Sequence, residues 1–144
     1  MSEQTHKRNL RFFVPCIPPK ATSQQKGIMM IGGKPRHFKK AHVREAEDTI
    51  TSLFAEHRPD MPFQGAVKLT VYWTYPWRKS EPKKNRAGGR KWCDTRPDCS
   101  NIVKMVEDCL TRLNFWNDDS QVAALHVEKG WGDAPGIGIR IEEL

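Results

Sequence analysis

Apolar and polar residues alternate most cleanly between Gly65 and Tyr75. Val67, Leu69, Val71 and Trp73 would share one side of a strand, and Lys68, Thr70, Tyr72 and Thr74 the other. That period of two, with its β-branched and aromatic content, predicts the strongest strand of the chain. Upstream, Leu10–Ile17 reads as an apolar strand closed by Pro18-Pro19. Residues 21–40 read as a hairpin, with Gly27–Ile31 running out, Gly32-Gly33 turning and Arg36–Phe38 returning. From Ala41 to Glu56 the period becomes helical, with Val43, Ala46, Ile50, Leu53 and Phe54 at three- and four-residue spacings. Glu45, Glu47 and Asp48 are expected on the solvated side of this helix, and His57-Arg58-Pro59 ends it.

A second helix is expected over 98–113. Wound at about 100° per residue, it aligns Ile102, Val106, Cys109, Leu110 and Leu113 in a stripe. Asn101, Lys104 and Asp108 fall within roughly 60° of one another on the opposite side. Strands follow over Gln121–Lys129 and Gly136–Ile141. The order β-(ββ)-α-β-α-β-β predicts an α+β fold, a single domain whose one mixed β-sheet is packed by two main helices. Residues 1–9 read as a disordered tail and 10–144 as the domain, without internal repeats.

Composition narrows the classes. A chain of 144 residues buries about two-thirds of its unfolded surface, and the 38% hydrophobic content, with five Trp and six Phe, supplies enough bulk for one core. No apolar run approaches the roughly 20 residues that a helix needs to cross a bilayer. The polar start MSEQTHKRNL has no apolar signal core, so a cytoplasmic location is expected. Cys16, Cys93, Cys99 and Cys109 form no Cys-x-x-Cys pair, and reduced, structural cysteines are expected rather than a zinc site.

Charge matters once it is located. The net charge is +7, and between Trp77 and Lys91 seven cations (Arg78, Lys79, Lys83, Lys84, Arg86, Arg90 and Lys91) face the single acid Glu81. With Pro82 and Gly88-Gly89 among them, residues 77–93 read as a flexible basic loop suited to neutralising phosphates. Arg96 is a further cation for such a nucleic-acid-binding surface. Arg36, Lys39 and Lys40 either extend it or are ordinary solvated charges.

The chemistry concentrates between Asp94 and Gln121, DTRPDCSNIVKMVEDCLTRLNFWNDDSQ. Pro97 pre-sets φ for a helix start, and Asp98 sits where a side-chain oxygen can cap free amides. Asn114 can take a left-handed C-terminal position, with Phe115-Trp116 folding back as an apolar plug. Asn117, Asp118 and Asp119 then form a polar turn. A capping Asp and a solvated Asp pair explain these acids one at a time. Were the fold to bring Asp98 and Asp119 together, two like charges about 4 Å apart would repel by roughly 4 kcal/mol at an effective dielectric of about 20. Such a pair calls for a hard cation, and oxygen-only ligands point to Mg2+ or Mn2+.

PDCSNIVKMVEDCL followed by FWNDDSQV resembles the signature of RusA-type Holliday junction resolvases. There an Asp-x-Asp-Asn-x-x-Lys helix start is followed about twenty residues later by a Trp-x-Asp-Asp-x-Gln-Val turn. The resemblance is sharp over this block and looser over most of the chain. It implies a magnesium-dependent endonuclease acting as a homodimer on four-way DNA junctions, with symmetric cuts. It implies catalytic roles for Asp98, Asn101, Lys104 and Asp119, which match the family pattern without a gap, and a DNA-facing place for Lys20, since related resolvases set polar or basic residues after the Pro-rich first strand. Ser100 stands where the family has its second carboxylate. Asp94 or Asp118 can supply that charge, or Ser100 can hold a metal-bound water. The Phe12-Phe13 strand and the Trp-rich strand are the candidate dimer surfaces. A rival reading is a non-catalytic branched-DNA-binding module that stacks bases on Trp73, Tyr75 and Trp77; a plain interaction protein with a charged loop is a third.

Overall fold

The computed structural model describes residues 6–20, 26–39 and 41–144. The first five residues of the expected tail, the opening of the expected hairpin and Lys40 lie outside the described residues. Strand β4 (Val67–Pro76) is the centre of the fold, and its alternation holds. Val67, Leu69, Val71 and Trp73 are fully buried, whereas Tyr72 faces outward and is exposed. Around it lie β1 (Asn9–Pro15), β6 (Val122–Gly132), β7 (Gly136–Glu143) and a short β5 (Arg90–Trp92), in the sheet order β1-β7-β4-β6-β5. Only β4 and β6 run parallel, so the sheet is mixed. Strands β2 (Lys26–Ile31) and β3 (Lys34–Lys39) form a separate antiparallel hairpin. Its turn is Gly32-Gly33, as expected, with φ of 59° and 77°, a region closed to most side chains.

Two long helices, α1 (Ala41–Ala55) and α3 (Cys99–Arg112), bury their apolar stripes against the sheet and each other. Val43, Ile50 and Phe54 meet Ile102, Met105, Val106, Cys109 and Leu110 in one core with Phe12, Val14, Ile137, Ile139 and Ile141. The fold is the expected α+β domain.

Three expectations need correction. Glu47 is not solvated but 2% exposed. It lies where α1 meets α3: its carbonyl accepts from Thr51 Oγ1 (2.7 Å) and Cys109 Sγ (3.6 Å), and its carboxylate is 3.8 Å from Arg112. The chain is also fastened before Leu10. Arg8 donates to the carbonyls of Met61 (2.8 Å) and Pro62 (3.1 Å) and lies 4.1 Å over the Phe63 ring; its amide donates to the Glu143 carboxylate (2.9 Å) and its carbonyl accepts from the Glu143 amide (3.0 Å). Finally, residues 77–93 are ordered rather than a plain loop. They contain the one-turn helix α2 (Lys83–Arg86) and strand β5. Glu81 accepts from Lys91 and Asn85 (both 3.0 Å), Trp77 Nε1 donates to Asp133 (2.7 Å), and Arg78 lies 4.0 Å over the Trp131 ring.

Candidate active site

The segment leading into α3 is tied to β6. Cys93 N–H donates to the Lys129 carbonyl (3.1 Å), and Lys129 Nζ donates to the carbonyls of Thr95 and Pro97 (2.8 Å to the latter). The Arg96–Pro97 peptide bond between them is cis. Asp98 then stands in extended conformation at the helix N-terminus, its carbonyl accepting from the amides of Asn101 (3.0 Å) and Ile102 (3.1 Å). Its exposed side chain makes no capping bond, contrary to expectation. The main chain closes the first turn and the carboxylate is left to solvent.

At the other end of α3, Asn114 takes φ 60° and Phe115-Trp116 fold back as the expected plug, both fully buried. Phe115 N–H donates to Leu110 O (3.1 Å), Phe63 N–H to Phe115 O (2.7 Å) and Trp116 Nε1 to Thr111 Oγ1 (2.7 Å). The reversal returns the chain alongside the middle of the helix. There Lys104 Nζ lies 3.2 Å from Asp108 Oδ1 and 4.0 Å from Asp119 Oδ2.

Adjacent acids in the turn do different work. Asp118 accepts from the Ser120 amide (3.2 Å) and hydroxyl, which hold its carboxyl below the usual range. Gln121 completes a capping box around the short 3-10 turn Asp119–Gln121. Its Oε1 accepts from the amides of Asn117 (2.8 Å) and Asp118 (3.1 Å), while Nε2 donates to the carbonyls of Phe63 and Gly65 (both 2.9 Å). Asp119, the next residue along, is left facing Lys104.

The electrostatics are those of crowded carboxylates around one ammonium. Hydrogen bonding to Asp108, and then its charge, raises the Lys104 pKa, with a smaller contribution from Asp119, so the side chain stays protonated. Burial first, and Asp119 second, push the half-buried Glu107 carboxyl up. Sequence reasoning missed Glu107, although its place three residues after Lys104 puts the two on one helix face. It also missed Gln121 and Lys129. The Asp118-x-x-Gln121 spacing of a capping box was the available signal for the first; no local pattern marks the second.

Lys104, Glu107, Asp108 and Asp119 thus form one patch. Asp98, Ser100 and Asn101 lie toward the start of the same helix, Asp98 about 9 Å of helix rise before Lys104. Asn101 is 8% exposed rather than sharing the open position of Lys104. Among the described residues no three His, Cys, Asp or Glu side chains are spaced as a ready-made metal cage. The patch nevertheless offers oxygen donors alone, the chemistry of magnesium or manganese. The raised Glu107 pKa comes first from burial, with the nearby Asp119 charge adding to it.

The expected DNA-contacting cations divide into engaged and free. Arg90 pairs with Glu128 (2.9 Å), Lys91 with Glu81 (3.0 Å), and Arg86 donates to the Arg78 carbonyl (3.0 Å). Lys79, Lys83 and Lys84 are exposed, with no ion pair among the described residues. Lys20, Arg36 and Arg96 are also exposed, and Lys39 ends β3. The stacking residues of the binding-module reading are largely withdrawn from solvent. Trp73 is fully buried, Tyr75 is 3% exposed with its hydroxyl on the Pro19 carbonyl (3.0 Å), and Trp77 is partly buried. The alternating strand places Trp73 and Tyr75 in the core, where their apolar bulk is worth most.

The family described as Endodeoxyribonuclease RusA matches residues 16–142. The chain is 27% identical over 123 residues to the crossover junction endodeoxyribonuclease rusA of Lactococcus phage r1t, covering 85% of this chain and 89% of that protein. It is 31% identical over 116 residues to the uncharacterized protein YqaN of Bacillus subtilis (strain 168), covering 73% and 81%. With nearly its whole length matched, the chain belongs to the RusA family of endodeoxyribonucleases.

Proposed function

We propose that this protein is a magnesium-dependent endodeoxyribonuclease that, as a homodimer, resolves Holliday junctions or other branched DNA during recombination and repair. The observation that carries the reading is the return of Asp119 to Lys104 on the very helix that Asp98 opens with an uncapped carboxylate. Asp98 and Asp119 are the residues to hold Mg2+ or Mn2+, with Glu107 or Asp108 supplying charge that Ser100 lacks. One Asp118 oxygen is taken by Ser120, which suits it to shaping the turn. A divalent ion held by these carboxylates would supply an activated water and offset the charge on the leaving 3′ oxygen. Lys104, protonated and exposed, meets the charge developing on the phosphate. Asn101, set in the first turn of α3, orients a ligand or a water. Lys79, Lys83 and Lys84 neutralise phosphates of the flanking arms. Two symmetric cuts require two such sites, hence a two-fold dimer.

The test is a labelled four-way junction beside linear duplex, with and without magnesium. Magnesium-dependent paired nicks in the junction are expected, and Asp119→Asn should abolish them while leaving junction binding intact. Undiminished cutting by Asp119→Asn sinks the assignment. Junction binding without cutting in either metal instead favours the non-catalytic module.

A further inference from the structure

Both long helices pack on one face of the sheet. Among the described residues the opposite face is open, and Phe13, Tyr72 and Trp92 stand on it, 46%, 43% and 68% exposed. Their arrangement follows from register. Gly138 of β7 is paired with Phe13 on one side and Tyr72 on the other. A Cβ at Gly138 would sit 3.4 Å from the Tyr72 Cβ and 3.8 Å from Phe13 Cδ2, so the glycine lowers the floor between two rings. The result is a groove of about 440 Å³ flanked by Arg11 and Arg140. A second groove, about 270 Å³, lies on the far side of Tyr72, bounded by Arg90, whose guanidinium is 5.6 Å from the Trp92 ring.

Charge decides what fits there. Arg11 and Arg140 are directly paired across β1 and β7, a like-charge juxtaposition that costs stability in a bare sheet. Arg140 finds Glu142 at 3.2 Å; Arg11 has no acidic partner among the described residues. Lys68 and Arg90 share the face, against Glu128 and Glu142 as its acids, so cations are in excess. A second copy of the chain would set this excess against itself. A polyanion is attracted by it. Exposed rings beside arginines on an open sheet are the chemistry that holds unpaired nucleotides, each base having a face to stack.

We infer that the open face of the sheet is a second nucleic-acid-binding surface, taking unpaired nucleotides by stacking bases on Phe13, Tyr72 and Trp92 and pairing phosphates with Arg11 and Arg140. It lies on the layer opposite the carboxylate patch and deepens the branched-DNA reading, because unpaired nucleotides occur where duplex arms part. Binding is measured by fluorescence anisotropy of a labelled oligothymidylate twelve nucleotides long, in chelator and without metal. Tyr72→Ala and Trp92→Ala should each weaken binding about tenfold, and Tyr72→Phe should restore it. Arg11→Ala should lower the slope of log affinity against log salt by about 0.7. Asp119→Asn should bind as the parent does, so absence of cutting would leave this result standing. Three outcomes overturn the inference. The parent fails to bind the oligonucleotide; the Tyr72 and Trp92 variants bind it unchanged; or they dissociate a dimer in sedimentation, which assigns the face to a second copy.

Discussion

Replacing Gln121 with alanine should both destabilise the domain and disorganise the site. The side chain makes four hydrogen bonds, two to amides of the turn that carries Asp119 and two to carbonyls of the segment preceding β4. At a net value of about 0.5–1 kcal/mol each, discounted for partial exposure, their loss amounts to about 2–3 kcal/mol. For a domain of this size that corresponds to a fall of roughly 6–10 °C in Tm. Gln121→Glu is the sharper probe. It keeps the acceptor for Asn117 and Asp118 but sets a carboxylate against the Phe63 and Gly65 carbonyls, so it should be no more stable than alanine. Calorimetry gives Tm, and single-turnover junction cleavage gives the cost of losing the Asp119 position, expected at tenfold or more on the basis of about 1 Å of misplacement. A Tm within about 1 °C of the parent for both variants would show that the clamp does not hold the turn.

Lys129→Met removes the two bonds that tie residues 95–97 to β6, so junction cleavage should fall while affinity for linear duplex, measured by anisotropy, stays near the parent's. Glu107 should make stability pH-dependent in a defined sense. Its folded pKa is raised, so the favourable protonated form is fully present below its ordinary value of 4.5 and is lost as pH rises through the folded value. Glu107→Gln should therefore flatten the decline in urea stability between 4.5 and the raised folded value; an unchanged pH profile refutes the assignment. Added magnesium should raise Tm in the parent and not in Asp98→Ala, by differential scanning fluorimetry in chelator-treated protein. Lys104→Met should abolish cleavage while leaving Tm within about 2 °C, because an exposed ion pair contributes little to folding.

The fold was legible wherever one physical rule acted alone. In β4 nothing competes with burial, and the alternation of Val67, Leu69, Val71 and Trp73 alone gives strand and inner face. The plug at Phe115-Trp116 was legible for the same reason. Partners distant in sequence hid the rest. Trp77 meets Asp133, and Arg78 meets Trp131, across more than fifty residues, and β5 pairs with β6 further on, so a segment that looks too charged to order is pinned at both ends. Glu47 looks solvated on its own helix and is buried by a neighbour on another. In the site, residue types and spacing were readable, but the division of labour was not. Asp98, placed as a cap, caps nothing, and Asp118 does the capping. Which acid is spared depends on main-chain direction at each turn.

The parallel pairing of β4 with β6 has a consequence in time as well as in space. Everything between them, from the basic segment through α3 to the turn at Asp119, is one long excursion that closes only when β6 docks. Gln121 and Lys129, the two fasteners of the acidic patch, flank or lie on that returning strand. While a ribosome is still making the chain, the carboxylates already synthesised have no fixed relation to one another. Competence to cut should therefore appear only after the second half of the polypeptide has emerged, sparing nearby nucleic acid from a half-made enzyme.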